Sequence, residues 1–341
     1  MEFRALASLR VGRPLLMRCL FTALLAAAPS ITSAGARARP RSIDVGQAGQ
    51  SVGVAAPEPA GVEIAGRAVA TELEVRYLAN EGFLVEAWGR RVLVDGLFGT
   101  GISGYDAVPP EVRSQLERGA GSWGNIQVAI ATHHHGDHFD PESVIRFLEA
   151  NPEAVFVSTP QAVERLTRRL TRGATEQSKS SNVERSELLA RVRAVLPAEG
   201  AVERMEFDGI ELVVLNLHHG RRDPPVENLG LVITIGDRSF IHFGDTEARM
   251  DEFEPYLDLL RDTDLALLPF WFLSSEWRAR MVRDLIQPRW IVVAHMPTPE
   301  AGDSYFGRWQ SYDNLVRSIR SAFPEARFPA RTGESYRFGD N

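Results

Sequence analysis

Ile126-Gln127-Val128-Ala129-Ile130-Ala131-Thr132-His133-His134-His135-Gly136-Asp137-His138-Phe139-Asp140-Pro141-Glu142 is the stretch on which the fold turns. Its first six residues are short, mostly apolar and closed by a polar cluster, which predicts a buried β-strand over Ile126–Ala131. Asp140 supplies an N-cap, Pro141 a first helical residue and Glu142 an early acid, so a helix is predicted from Glu142 to Ala150. The loop between them holds four of the chain's eight histidines and one carboxylate within six positions. Such a loop presents side chains that a packed strand or helix would bury. Imidazole nitrogen and carboxylate oxygen are donors suited to zinc and similar divalent ions. In His-x-His-x-Asp-His, His133 and His135 can point the same way while Asp137 and His138 turn to a neighbouring position, so the spacing suggests two metals.

These residues resemble the signature of the metallo-β-lactamase superfamily of dinuclear metallohydrolases. The resemblance implies three further ligands, each after a strand. Ile210–Leu217 is a strand-like run ending in His218-His219; Ser239–Phe243 leads into Gly244-Asp245; Trp290–Ala294 ends at His295. With these the resemblance runs from about Leu73 to Arg337. It implies an α/β fold, a four-layer αββα sandwich with two β-sheets face to face and helices outside.

The domain opens with alternating runs at Leu73–Leu78, Gly82–Trp88 and Arg91–Asp95, a β-meander with a turn at Asn80-Glu81-Gly82. This opening resembles the branch that contains L-ascorbate-6-phosphate lactonase and N-acyl-phosphatidylethanolamine phospholipase D, in which Asp95 would be a structural carboxylate near the site. Adjacent strand-end residues face opposite sides, so either His218 or His219 could be the ligand. The branch's His-x-x-x-Arg arrangement, matched by His218 and Arg222 before Asn228-Leu229-Gly230, selects His218 and leaves His219 as a second contact. By this resemblance His133, His135 and His218 hold one metal, Asp137, His138 and His295 the other, and Asp245 bridges them. Asp137 would also orient the catalytic hydroxide. His242 reads as a strand residue.

The cofactors implied are two divalent ions, zinc first, with manganese or iron as alternatives. A hydroxide shared by the metals would attack an ester, lactone or phosphodiester bond of a small or lipid-like molecule. A β-lactamase role fits less well, because the second site carries no cysteine; an oxidoreductase role lacks an appended flavin or iron domain. The competing reading is a binding or structural protein in which the metals act as a staple. The long segment Phe98–Gly124, with one short helix near Glu111–Arg118, is a candidate wall of the active-site mouth, as are Phe270, Trp271 and Trp277.

Before the domain, Met1–Ala34 carries four arginines and then the apolar run Cys19–Ala28, the pattern of a secretory signal too short to span a bilayer. Cleavage is expected near Ala34, Ala36 or Ala38, leading to a periplasmic or extracellular protein. Cys19 is the only cysteine, so the processed chain has no disulfide. Residues 35–70 read as a linker and 71–341 as the hydrolase domain. Without residues 1–34 the chain keeps 34 basic and 44 acidic residues, a formal charge of about −10. That balance lacks the basic surface on which phosphate-backbone binding depends, which argues against nucleic acid. The segment Thr171–Val195, with the sole lysine Lys179, reads as polar chain leading into a helix over Glu184–Val195.

Overall fold

Alternation in the opening strands assigns each side chain to one of two faces. In β1 (Leu73–Ala79), Leu73, Val75 and Tyr77 are buried on one side; in β2 (Gly82–Ala87) and β3 (Arg90–Val94), Phe83, Val85, Val92 and Val94 continue that layer. The computed structural model describes residues 72–172, 180–220, 225–247 and 249–339. The chain divides into Met1–Glu63 and Ile64–Asn341, and every described residue belongs to the second unit. The signal segment 1–34, the linker 35–70, Lys179 and Arg222 lie outside the described residues.

After β3 come α1 (Pro110–Glu117), β4 (Val128–Ala131), α2 (Pro141–Ala150), β5 (Val155–Ser158), α3 (Pro160–Arg172), α4 (Ser180–Leu189) and β6 (Val192–Ala194). The second half supplies β7 (Val202–Phe207), β8 (Ile210–Asn216), β9 (Leu229–Ile235), β10 (Arg238–His242), β11 (Leu265–Pro269), β12 (Trp290–Ala294) and β13 (Ser335–Phe338). One sheet runs β13-β1-β2-β3-β4-β5-β6 and the other β12-β11-β10-β9-β8-β7. Pairing is antiparallel through the meander and turns parallel from β3 to β6; in the second sheet β10, β11 and β12 are the parallel part.

Val128 and Ile130 of β4 join Leu212, Val214, Leu231, Ile233 and Leu267 in one core cluster, which lies between the two sheets. Ala129 and Ala131 point the other way, into a cluster with Leu116, Val144, Phe147 and Leu166 of the helices. Val213, Leu215, Ile241 and Val293 do the same on the second sheet, against Phe253, Phe272, Leu315 and Ile319. The result is the predicted αββα sandwich. Fully burying each large aliphatic side chain contributes roughly 1.5–3 kcal/mol, so the three clusters are the main source of stability. Among the described residues no helix is long and apolar enough to cross a membrane.

One expected element is corrected. The helix predicted to reach Val195 stops at Leu189, and Val192–Ala194 pairs in parallel with β5. Ala190–Val195 alternates well enough for a strand, and the open edge of β5 needs partners for its backbone groups: Phe156 N donates to Arg191 O and Val195 N to Ser158 O. The Arg191 guanidinium donates to the carbonyls of Leu148, Asn151 and Ala154, which ties the new edge to the end of α2.

The start of α2 is set by the Asp140 carboxylate, which accepts from Glu142 N at 3.0 Å. The helix is clamped to α1 by Glu117, whose carboxylate accepts 2.7 Å bonds from Arg146 Nε and Nη2 and from Ser143 Oγ. Burial pushes the Glu117 carboxyl up, but the bonds from Arg146 and Ser143 and the charges of Arg146 and Arg113 outweigh this and hold it below its ordinary value. Its stabilising contribution is therefore complete above the unfolded value of about 4.3 and disappears as pH falls through the lower folded value. Arg146 is half open to solvent, which screens the pair. Glu117→Gln is expected to lower stability by about 1–2 kcal/mol at pH 7 and to match the parent in strong acid; denaturant midpoints at both pH values check this.

Candidate metal centre

The histidine loop leaves β4 beside the end of β3, where Asp95 is fully buried. The Asp95 carboxylate accepts from Thr132 N and Thr132 Oγ1, each at 2.7 Å, and from His138 Nδ1 at 2.9 Å. These bonds fix hydrogens on the two rings. The Thr132 hydroxyl spends its proton on Asp95, so its 3.1 Å contact with His133 Nδ1 requires that nitrogen to donate. With Nδ1 of both His133 and His138 taken up by these bonds, the two Nε2 atoms are the ones left to face the cluster, as in metal-ligating imidazoles.

Asp245 joins the two histidine groups. Its Oδ2 lies 3.3 Å from His219 Nε2 and 3.8 Å from His133 Nε2, while Oδ1 lies 3.3 Å from His295 Nε2 and 3.4 Å from His138 Nε2. His133 Nε2 and His135 Nδ1 are 2.9 Å apart. Asp137 Oδ2 completes the second group at 3.7 Å from His138 Nε2 and 3.9 Å from His295 Nε2. One ligand atom from each of His133, His135, His219 and Asp245 falls within 4.8 Å of the others, and the same holds for Asp137, His138 and His295.

The backbone makes this convergence geometrically possible. Gly244 has φ +54°, and a Cβ there would run into Asn228 Oδ1 and stand 2.8 Å from Thr132 Cβ. Asn228 Oδ1 in turn accepts from Asp245 N, and its Nδ2 donates to Phe243 O. His295 leaves β12 at φ +50°, with its N–H donating to Asn80 O. The Asn80 side chain donates to Asp137 Oδ2 at 3.1 Å.

The donors fit divalent cations. His138 Nε2, Asp137 Oδ1, Asp245 Oδ1 and both ring nitrogens of His219 are buried without a hydrogen-bond partner, an arrangement that a protein does not keep for its own stability. Burial, followed by the charge of its histidine neighbours, pushes His133 well below its ordinary value, and the same causes bring His135 down to about 4. Burial also opposes charge on His138, yet Asp245, Asp95 and Asp137 outweigh it and push that ring well up. Asp245 is held well below the carboxylate range, against its burial, by His295 and His138. The carboxylates thus call for positive charge beside His133 and His135, whose own charging burial opposes, and a metal ion meets both demands.

Of the predicted residues, His133, His135, Asp137, His138, Asp245 and His295 are brought together. His218 is not, and its selection over His219 is corrected. The His218 ring points away, 3.2 Å from Glu199 Oε1 and 3.2 Å from Glu252 Oε1, while the ring of His219 meets that of His135 edge-on with centroids 4.5 Å apart. Beyond β8 the chain is no longer a strand, so alternation from Leu217 does not fix which histidine turns inward. Trp271 packs 5.0 Å from the His295 ring and donates its indole N–H to Thr246 O, with Phe270 5.3 Å from Trp271. Trp277 sits half-exposed under Arg278 and pairs with no ring of the cluster among the described residues. His242 is a buried residue at the end of β10. Asn80, Glu81 and Tyr105 escaped the sequence reading: the first two looked like turn residues, and Tyr105 was anonymous within the Phe98–Gly124 segment. The Tyr105 ring lies edge-on to His295 at 4.6 Å.

A family model described as "Beta-lactamase superfamily domain" matches residues 90–304. No curated protein matches the chain. Among solved structures, "a possible metal-dependent hydrolase from Veillonella parvula" is 15% identical with a TM-score of 0.51, covering 78% of this chain and 99% of that one. The metallo-beta-lactamase fold protein YhfI from Bacillus subtilis is 11% identical with a TM-score of 0.50, over 78% of this chain and 100% of its own. CmlA, a diiron beta-hydroxylase from Streptomyces venezuelae, is 15% identical with a TM-score of 0.50, covering 78% of this chain and 54% of its own.

His219→Ala is expected to lower metal affinity about 10- to 100-fold, whereas His218→Ala leaves it unchanged. Metal content after dialysis, by plasma mass spectrometry, separates the two. Gly244→Ala is expected to weaken metal retention further in the same assay, because the displaced Asp245 serves both histidine groups.

Proposed function

We propose that this chain, which belongs to the beta-lactamase superfamily, is a metal-dependent hydrolase that opens an ester, lactone or phosphodiester bond at a pair of divalent ions. The observation that carries the reading is Asp245, which turns one oxygen to each of two histidine groups. His133, His135 and His219 would hold one ion and Asp137, His138 and His295 the other. When bound, such a pair polarises a substrate oxygen and lowers the pKa of water from about 15.7 toward about 7.

The protein's own part is positioning. Asp95 and Thr132 hold His133 and His138 by their far nitrogens, so neither ring can rotate without losing a buried hydrogen bond. Asn80 anchors one oxygen of Asp137, leaving Oδ1 without a partner to orient an attacking water and hold its proton. His135 and Asp245 are partly exposed, so substrate can reach the centre; this favours catalysis over a sealed metal staple.

The mouth beside His295 is aromatic, built from Tyr105, Trp271 and Tyr305, whose ring is 5.8 Å from that of Tyr105. Burial, and then the Asp245 charge, pushes the Tyr105 hydroxyl up to about 12, so it stays protonated and able to donate. This wall suits an apolar acyl or alkyl group, consistent with a small or lipid-like substrate. The beta-hydroxylase named above shares only the fold, and one fold hosts many reactions. Zinc is the first candidate ion, manganese and iron the others. Export through residues 1–34 belongs to the same proposal and rests on their signal-like pattern.

The test is a chromogenic panel of lactones, carboxylic esters, phosphodiesters and a cephalosporin, run before and after chelation. Turnover of one of the first three, lost with chelator and restored by zinc or manganese, is expected. Metal binding without turnover of any of these would return the chain to a binding role. Tyr105→Ala is expected to raise KM for the apolar member of a matched pair about tenfold more than for the polar one, while Tyr105→Phe keeps that preference.

A further inference from the structure

Glu81 sits in the turn between β1 and β2, and its side chain is completely buried. Neither carboxylate oxygen has a hydrogen-bond partner. The nearest basic group is the His242 ring, whose Nε2 is 3.7 Å from Glu81 Oε2, but that ring is already committed. Gly244 N donates to His242 Nδ1 at 3.2 Å, so the proton is on Nε2, and Nε2 donates to the backbone oxygen of Glu81 at 3.1 Å. His242 therefore carries no charge to pair with Glu81. Other buried carboxylates here are anchored: Asp95 by Thr132 and His138, and Asp137 by Asn80. An isolated buried carboxylate is among the most unfavourable groups a fold can retain.

What Glu81 does face is the metal centre. A Glu81 oxygen lies within 4.8 Å of a ligand atom on both His138 and Asp245, and Glu81 also falls within that distance of Asp95 and His242 on its other side. The turn is pressed into this place: a Cβ at Gly82 would stand 2.7 Å from Asp95 O, and Asn80 adopts φ +50°.

We propose that Glu81 is a further oxygen donor to the cation held by Asp137, His138 and His295, and that it makes this position harder than its neighbour. The inference rests on the two-ion reading above. With Glu81 the second position offers two nitrogens and three oxygens, from His138, His295, Asp137, Asp245 and Glu81. The first offers three nitrogens and one oxygen, from His133, His135, His219 and Asp245. Oxygen-rich sets suit manganese and similar hard ions, whereas imidazole-rich sets suit zinc.

The test uses the full chain stripped of metal and titrated calorimetrically with zinc alone and manganese alone, as parent, Glu81→Gln and Glu81→Asp. Glu81→Gln keeps the shape of a side chain that makes no hydrogen bond, so the metal-free variant is expected to melt no lower than the parent. Its first zinc should bind as in the parent, its second ion about 10- to 100-fold more weakly, and the loss should be larger for manganese than for zinc. Glu81→Asp retains the charge but withdraws the oxygen; a ligand predicts loss here too, whereas a distant charge predicts parental affinity. Two ions bound by the parent and bound equally well by Glu81→Gln would overturn this inference alone, as would parental binding in Glu81→Asp. A parent that binds neither ion would overturn the metal-centre reading with it.

Discussion

The Asp95 carboxylate is the constraint from which the centre is built. Three donors converge on it from the next strand and its loop, and its own N–H donates to Ile130 O, so the ends of β3 and β4 are held together by one buried group. The residue takes φ +46°, which turns the carboxylate back toward the loop and away from the sheet. Removing it would leave Thr132 N, Thr132 Oγ1 and His138 Nδ1 as unpaired buried donors and would free the Thr132 hydroxyl whose orientation makes His133 Nδ1 donate, so the arrangement stands or falls together. The site is thereby a property of how two parallel strands end, and the rest of the sheet serves to hold those ends in register.

The same architecture brings distant chain segments to one point. Turn β1–β2 contributes Asn80 and Glu81, the loop after β4 four residues, the chain beyond β8 His219, the turn after β10 Asp245 and the end of β12 His295. Two sheets packed face to face align their strand ends along one edge, and loops there are free of the core's demand for apolar side chains. The histidine-rich centre can therefore be strongly polar while the three apolar clusters beneath it carry the stability. Burial in turn gives the centre its character, since it opposes charge on His133 and His135 while carboxylates converge beside them.

Legibility in the sequence followed the range of the physics. Alternation predicted the meander, and short apolar runs predicted β4, β8 and β12, to within a few residues, because a strand with two buried faces has little choice of composition; capping chemistry at Asp140-Pro141 did the same for α2. Alternation lost its authority where strands ended. At Ala190–Val195 the composition suited either helix or strand, and an unpaired edge decided for the strand. At His218-His219 two identical side chains follow the last ladder pair, so only the path of the loop selects His219.

Strand periodicity and the donor chemistry of the histidine loop are written locally, so His133, His135, Asp137 and His138 were legible from the residues alone; the packed sandwich, Asp245 and His295 were legible through the family resemblance those residues carry. Tertiary structure decided which of two neighbouring histidines turns inward, that Tyr105 and Trp271 border His295, and that Glu81 reaches the centre from a turn that looks ordinary in sequence. These choices depend on contacts between residues far apart in the chain, where neither propensity nor spacing carries information and the close packing of the two sheets sets the geometry.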